Sequence, residues 1–152
     1  MVRIDFTIEV ARPPTEVFAR LVDLDRLPEW QESALESSAD GPVEQGTRVK
    51  ERRRIMGREL ENELEVTTCD PPRQLTLKAL GGPVPFTVDH QLVEKAGSTV
   101  LHVVAEAKPG TFMKLAEPML ARTAEQELRK DFARLKEQLE AEGYLSEAAP
   151  VD

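Results

Sequence analysis

Four residues combine reactive or hydrogen-bonding side chains with apolar surroundings: Glu51 and Arg53 in "RVKERRRI", Asn62 in "LENELEV", and His90 in "FTVDHQLV". A guanidinium and a carboxamide can together hold a carbonyl, a phenolate or a carboxylate. An imidazole titrates near neutral pH and can serve as base or hydrogen-bond donor. His90 and Arg53 are therefore the candidate catalytic pair, one moving a proton and the other polarising a carbonyl. A plainer reading stands beside this one. Glu51 and Arg53 lie two apart, about 6.6 Å along a strand, and can satisfy each other with Asn62 alongside Arg53. His90 can likewise donate to a backbone carbonyl or to water. Two histidines and one cysteine are too few for a structural zinc site. No glycine-rich phosphate loop and no G-x-S-x-G motif occur, so neither a metal nor a cofactor is expected.

The elements that must position these groups are legible from periodicity. Val2, Ile4, Phe6, Ile8 and Val10 alternate with polar residues, the pattern of a strand with one buried face. Pro13 and Pro14 suit the first turn of a helix, whose apolar stripe is Val17, Phe18, Leu21 and Val22. A second short helix is expected from Leu24 to about Glu29, ended by Pro28, with Trp30 plugging the sheet near the start of the second strand. Six further strands are expected at about 32–39, 47–56, 59–69, 73–80, 86–94 and 99–107, separated by "DGPVEQG", "MGR", "CDPP", "GGPVP" and "KAGS". A long helix, Thr111 to Glu142, carries a stripe of Leu120, Ala124, Leu128, Phe132, Leu135 and Leu139, with Pro118 expected to kink it or to separate off a first segment. The expected organisation is one domain over 1–143 and a flexible tail over 144–152.

Two hairpins can be set in register. A type II′ turn at Gly57-Arg58 makes opposed numbers sum to 115, so Arg54, Arg52 and Lys50 face Glu61, Glu63 and Glu65 on one side. The other side then pairs Arg53 with Asn62 and Glu51 with Leu64. A turn at Ala96-Gly97 makes opposed numbers sum to 193, placing His90 inward among Phe86, Val88 and Leu92 and His102 outward. With one strand between them, Asn62 and His90 are expected about 10 Å apart, so only a ligand of two-ring size or longer touches both. Alternate connections of such a meander share one end. "MGR", "GGPVP" and "KPGTF" therefore form an apolar mouth bearing Met56, Val84, Phe86, Phe112 and Met113.

The 28 acidic and 20 basic residues give a formal net charge of -8. That field repels phosphate backbones and anionic lipid surfaces, and the one dense basic run is matched by glutamates, so no nucleic acid is expected as a partner. No apolar run approaches the ~20 residues of a membrane span, and no signal peptide is recognisable, so no integral membrane association is expected. The single Cys69 fits a reducing compartment, and a cytoplasmic location is the expectation.

The segments "IDFTIEVARPPTEVFARLVDLDRLPEW", "GTRVKERR", "DPPRQLTLKA" and "EPMLARTAEQELRKDFARLKEQLE" resemble the polyketide cyclase/dehydrase branch of the START-like superfamily, related in fold to Bet v 1. The resemblance spans residues 2 to 142. It implies an α+β helix-grip fold: a curved seven-stranded antiparallel sheet wrapped around a long C-terminal helix, with two short helices between the first two strands. It also implies a hydrophobic small-molecule ligand held between sheet and helix. Glu51, Arg53, Asn62 and His90 would be the polar contacts. Leu64, Leu77, Phe86 and Val88 would supply apolar wall, with Phe112 and Met119 on the helix side. Such a domain could be a cyclase or aromatase, a non-catalytic lipid or quinone carrier or sensor, or an assembly module filled by its own side chains. A homodimer is left open.

Overall fold

The computed structural model describes residues 2–55, 57–81, 84–108 and 117–148. Seven strands form one antiparallel sheet in the order β1-β7-β6-β5-β4-β3-β2. They are β1 Val2–Val10, β2 Ala34–Ala39, β3 Arg48–Ile55, β4 Arg58–Asp70, β5 Gln74–Gly81, β6 Phe86–Lys95 and β7 Ser98–Ala107. Between β1 and β2 lie helix α1, Pro14–Leu21, and a 3₁₀ helix, Leu24–Glu29. A long helix α2, Glu117–Ala148, closes the chain. This is the α+β helix-grip arrangement.

The alternation in β1 buries Val2, Ile4, Phe6 and Val10, because successive strand side chains point to opposite faces. The same parity puts Leu64 and Val66 of β4, Leu75 of β5, Leu92 of β6 and Leu101 and Val103 of β7 into the core. Phe132, Leu135 and Leu139 of α2 pack onto them at helical spacing. Polar contacts fix the C-terminal half of α2. Arg20, buried in α1, donates to Gln138 Oε1 at 2.7 Å and to Glu142 Oε1 at 3.1 Å. Lys136 Nζ reaches the Glu9 carbonyl at 2.8 Å, and Arg134 Nη1 the Trp30 carbonyl at 2.9 Å.

Three expectations are corrected. The β3–β4 register sums to 113, not 115: Glu51 lies opposite Asn62 and Arg53 opposite Leu60. Gly57, between Ile55 of β3 and Arg58 of β4, takes a positive φ of 76°. The slip is two residues, so both faces keep their members. It also aligns four opposite-charge pairs across the outer face in place of three: Arg48, Lys50, Arg52 and Arg54 against Glu65, Glu63, Glu61 and Glu59. The ion pairs that form are diagonal, Arg48–Glu63 at 3.3 Å and Arg52–Glu59 at 2.5 Å, as strand twist favours. Next, Pro118 lies at the start of the described helix α2, and the first segment expected before it falls outside the described residues. The helix also runs six residues past Glu142, and residues 111–116 lie outside the described ones. Lastly, Pro28 sits inside the 3₁₀ helix, one residue before its end. The β6–β7 register sums to 193 as expected, with Ala96 and Gly97 both at positive φ in the turn.

Candidate functional site

A cavity of about 900 Å³ lies between the concave face of the sheet and α2. Its wall includes Leu64, Leu77, Phe86 and Val88 from the sheet, Trp30 from the end of the 3₁₀ helix, and Leu128 and Phe132 from α2. Met119 lies at its rim with 76% of its surface exposed. Ile55, at the same end of the sheet, also lines the cavity and is partly exposed. Phe112, Met56 and Met113 fall outside the described residues.

The polar groups form two sets. On the β2–β3–β4 wall, the Glu51 side chain is 1% exposed and accepts from Arg53 twice, Nε to Oε1 at 2.8 Å and Nη2 to Oε2 at 3.0 Å. Asn62 Nδ2 donates to the same Oε1 at 3.0 Å. Arg53 turns its remaining edge to Ser33 Oγ at 2.8 Å and Gln31 Oε1 at 2.5 Å. Both Gln31 and Ser33 come from the connection into β2, which forms because the 3₁₀ helix ends at Trp30 and the chain turns back onto β3. The plainer reading of this cluster therefore describes it: Glu51, Arg53 and Asn62 satisfy one another. Glu51 and Arg53 line the cavity, whereas Asn62 sits behind Glu51 and does not.

His90 stands apart from that cluster. Register places it opposite Leu75 and Leu75 opposite Cys69, so Asn62 lies seven residues further along β4. That stagger is about 23 Å of strand, which replaces the 10 Å expectation. That expectation set neighbouring strands at one level, whereas the pairing of Cys69 with Leu75 and of Leu75 with His90 puts His90 beside the C-terminal end of β4, and Asn62 lies near its start. Helix α2 packs between His90 and Trp30. The Phe132 ring packs edge-on to Trp30 at 5.0 Å and lies 5.8 Å from the His90 ring.

His90 is buried, and Nδ1 lies 2.9 Å from the Leu75 carbonyl, so the neutral ring carries its proton there. Burial pushes its pKa below the usual value, outweighing the Leu75 carbonyl and Asp89, which act the other way. Nε2 is then an acceptor, with no protein partner among the described residues, and the residue lines the cavity. His102 takes the outer face as expected, its Nε2 2.6 Å from Asp5 Oδ1. That contact holds the Asp5 carboxyl below its ordinary value.

Sequence reading missed Asp131. It precedes Phe132 on α2, lines the cavity, and is buried. Burial raises its pKa against the opposing pull of the Glu32 N–H, Arg134 and Arg53. Oδ1 accepts from Glu32 N at 3.2 Å. An acidic residue inside the apolar stripe Leu128-Phe132-Leu135 was the available signal. Trp30 was read as a sheet plug and is one, but it also lines the cavity. Among the described residues, no group of histidine, cysteine and carboxylate side chains converges as metal ligands, and no helix is long and apolar enough to cross a membrane.

A curved sheet gripping one long helix around a largely apolar cavity defines a START-like ligand-binding architecture. The sequence matches the family described as "Polyketide cyclase / dehydrase and lipid transport" over residues 1–140, and the chain belongs to that family. A search of curated protein sequences finds no match. Among solved structures, the chain is similar to a START superfamily protein from Mycobacterium smegmatis, at 19% identity and a TM-score of 0.74, covering 93% of this chain and 99% of the other. It is also similar to the Zhui aromatase/cyclase from Streptomyces sp. R1128, at 15% identity and a TM-score of 0.72, covering 91% and 93%. Ara h 8.0201 aligns at 14% identity and a TM-score of 0.73, covering 91% and 97%. At these identities the likeness is one of fold.

Proposed function

We propose that the protein binds a hydrophobic or aromatic small molecule between sheet and helix, and that His90 and Asp131 can turn over a polyketide-like ligand. The observation that carries this reading is a mostly apolar cavity with an unpartnered imidazole Nε2 and a carboxyl of raised pKa. In an aldol cyclisation, Nε2 takes a proton from carbon beside a ketone, and the enolate carbon forms a bond to a second carbonyl. The new alkoxide takes that proton back from His90, and the hydroxyl leaves as water with a proton from Asp131 while His90 removes the neighbouring hydrogen, which returns to Asp131 through solvent. His90 is thus retained as candidate base. Arg53 becomes a positioning residue, since Glu51 already occupies its strongest donors.

That commitment of Arg53 supports a second reading, a carrier or sensor of a lipid or quinone with no chemistry, because among the described residues no free cation is left within the cavity to stabilise an oxyanion. Native mass spectrometry of purified protein, before and after denaturation, separates these readings when combined with turnover of a poly-β-ketone thioester. Aromatic product formation lost in His90→Ala supports the enzyme. A retained lipid or quinone with no turnover supports the carrier. An empty cavity that takes up neither rejects both.

A further inference from the structure

We infer that this cavity selects neutral, hydroxyl-bearing ligands and excludes those that carry a carboxylate. The inference rests on the ligand-binding reading above and concerns the chemical class of the occupant. Arg53 is the cation within the wall, and four of its five N–H groups are spent on Glu51, Ser33 and Gln31. The carboxylate that it neutralises is its own neighbour, so an incoming anion finds no uncompensated positive charge there. Arg54 at the rim is exposed, and a carboxylate pairing with it would gain little over water.

The rest of the charged lining is acidic. Among the described residues it holds Glu32, Glu51, Glu106, Glu127 and Asp131 against Arg53 and Arg54, five carboxyls to two guanidiniums. An anion buried here would lose its hydration with the Trp30 N–H as an unpaired neutral donor but no uncompensated cation among the described residues, and like charges would oppose it. A cation would meet the exposed Glu32 and Glu127 only at the surface. Deeper in, Glu51 is already paired and Asp131 is held toward its neutral form by burial. A neutral hydroxyl suffers neither penalty. It can donate to the free Nε2 of His90, whose Nδ1 is committed to the Leu75 carbonyl.

Trp30 is the chain's single tryptophan and lines the cavity, so its emission reports occupancy directly. The test titrates the full-length protein at neutral pH with para-butylphenol, para-butylbenzoate and para-butylbenzylamine, which share one apolar body and differ in the charge of the head. We expect the phenol to bind at least about tenfold tighter than the benzoate, with the amine between them. Benzoate or amine binding as tightly as the phenol overturns the inference and leaves the ligand-binding reading standing. No response to any of the three overturns that reading and the inference together. Glu51→Gln, nearly isosteric, frees Arg53, and it should raise benzoate affinity relative to phenol affinity. A Glu51→Gln protein that folds and still excludes the benzoate overturns the assignment of exclusion to the Glu51 clamp; the wild-type series decides the inference even without it.

Discussion

Removing Arg53 should destabilise this protein more than removing Glu51, although the two form one ion pair. In Arg53→Ala, Glu51 is left with a side chain 1% exposed and Asn62 as its remaining partner. Stranding a buried charge in this way costs about 3–5 kcal/mol. For a chain of this size that corresponds to a fall in Tm of about 6–20 °C. Glu51→Ala leaves the opposite residue better placed, because Arg53 is 17% exposed and keeps Ser33 and Gln31. Its cost should be nearer 1.5–3 kcal/mol, roughly the value of lost charge-assisted hydrogen bonds. Replacing both by apolar residues, Glu51→Leu with Arg53→Met, removes the stranded charge and should lie within about 1 kcal/mol of wild type. Urea unfolding followed by circular dichroism gives all three values. Arg53→Ala no more costly than Glu51→Ala, or a double variant as unstable as the sum of the singles, would refute the clamp as the reason these charges are tolerated.

His90→Ala should weaken para-butylphenol binding about tenfold, whereas His102→Ala, on the outer face beside Asp5, should leave it unchanged. The reverse result in the same fluorescence titration would show the two faces misassigned. Because the folded pKa of His90 is depressed, its contribution to stability is present above the unfolded value of about 6.5 and is lost as pH falls toward the folded value. Urea titrations of wild type and His90→Gln across that range should therefore converge on acidification, and parallel curves would contradict the burial argument. Asp131 has the opposite sign: its folded pKa is raised, so its favourable contribution is present below about 3.9 and is lost as pH rises through the folded value. Asp131→Asn should then gain stability relative to wild type between acid and neutral pH, and a relative loss over that interval would be the disproof.

Strand faces and one hairpin register were readable from the sequence, because period-two alternation and turn chemistry are local. Ala96-Gly97 accepts positive φ at both positions, and that alone sets Leu92 against Leu101 and His90 against Val103. The β3–β4 hairpin was assigned its correct faces but a register two residues off, since charge matching tolerates a two-residue slip and Gly57 can serve either loop position. What the alternation could not carry was the third dimension. The separation of His90 from Asn62 is set by the β4–β5 and β5–β6 registers, which face alternation alone does not define. Arg53's partners Gln31 and Ser33 lie some twenty residues away, and Phe132, whose ring packs against Trp30 and His90, arrives from the last helix. Local periodicity says which side of an element a residue takes. Only the packing of distant elements decides which side chains then meet, and that made Arg53 a clamped ion and left His90 at the cavity wall with Nε2 unpartnered among the described residues.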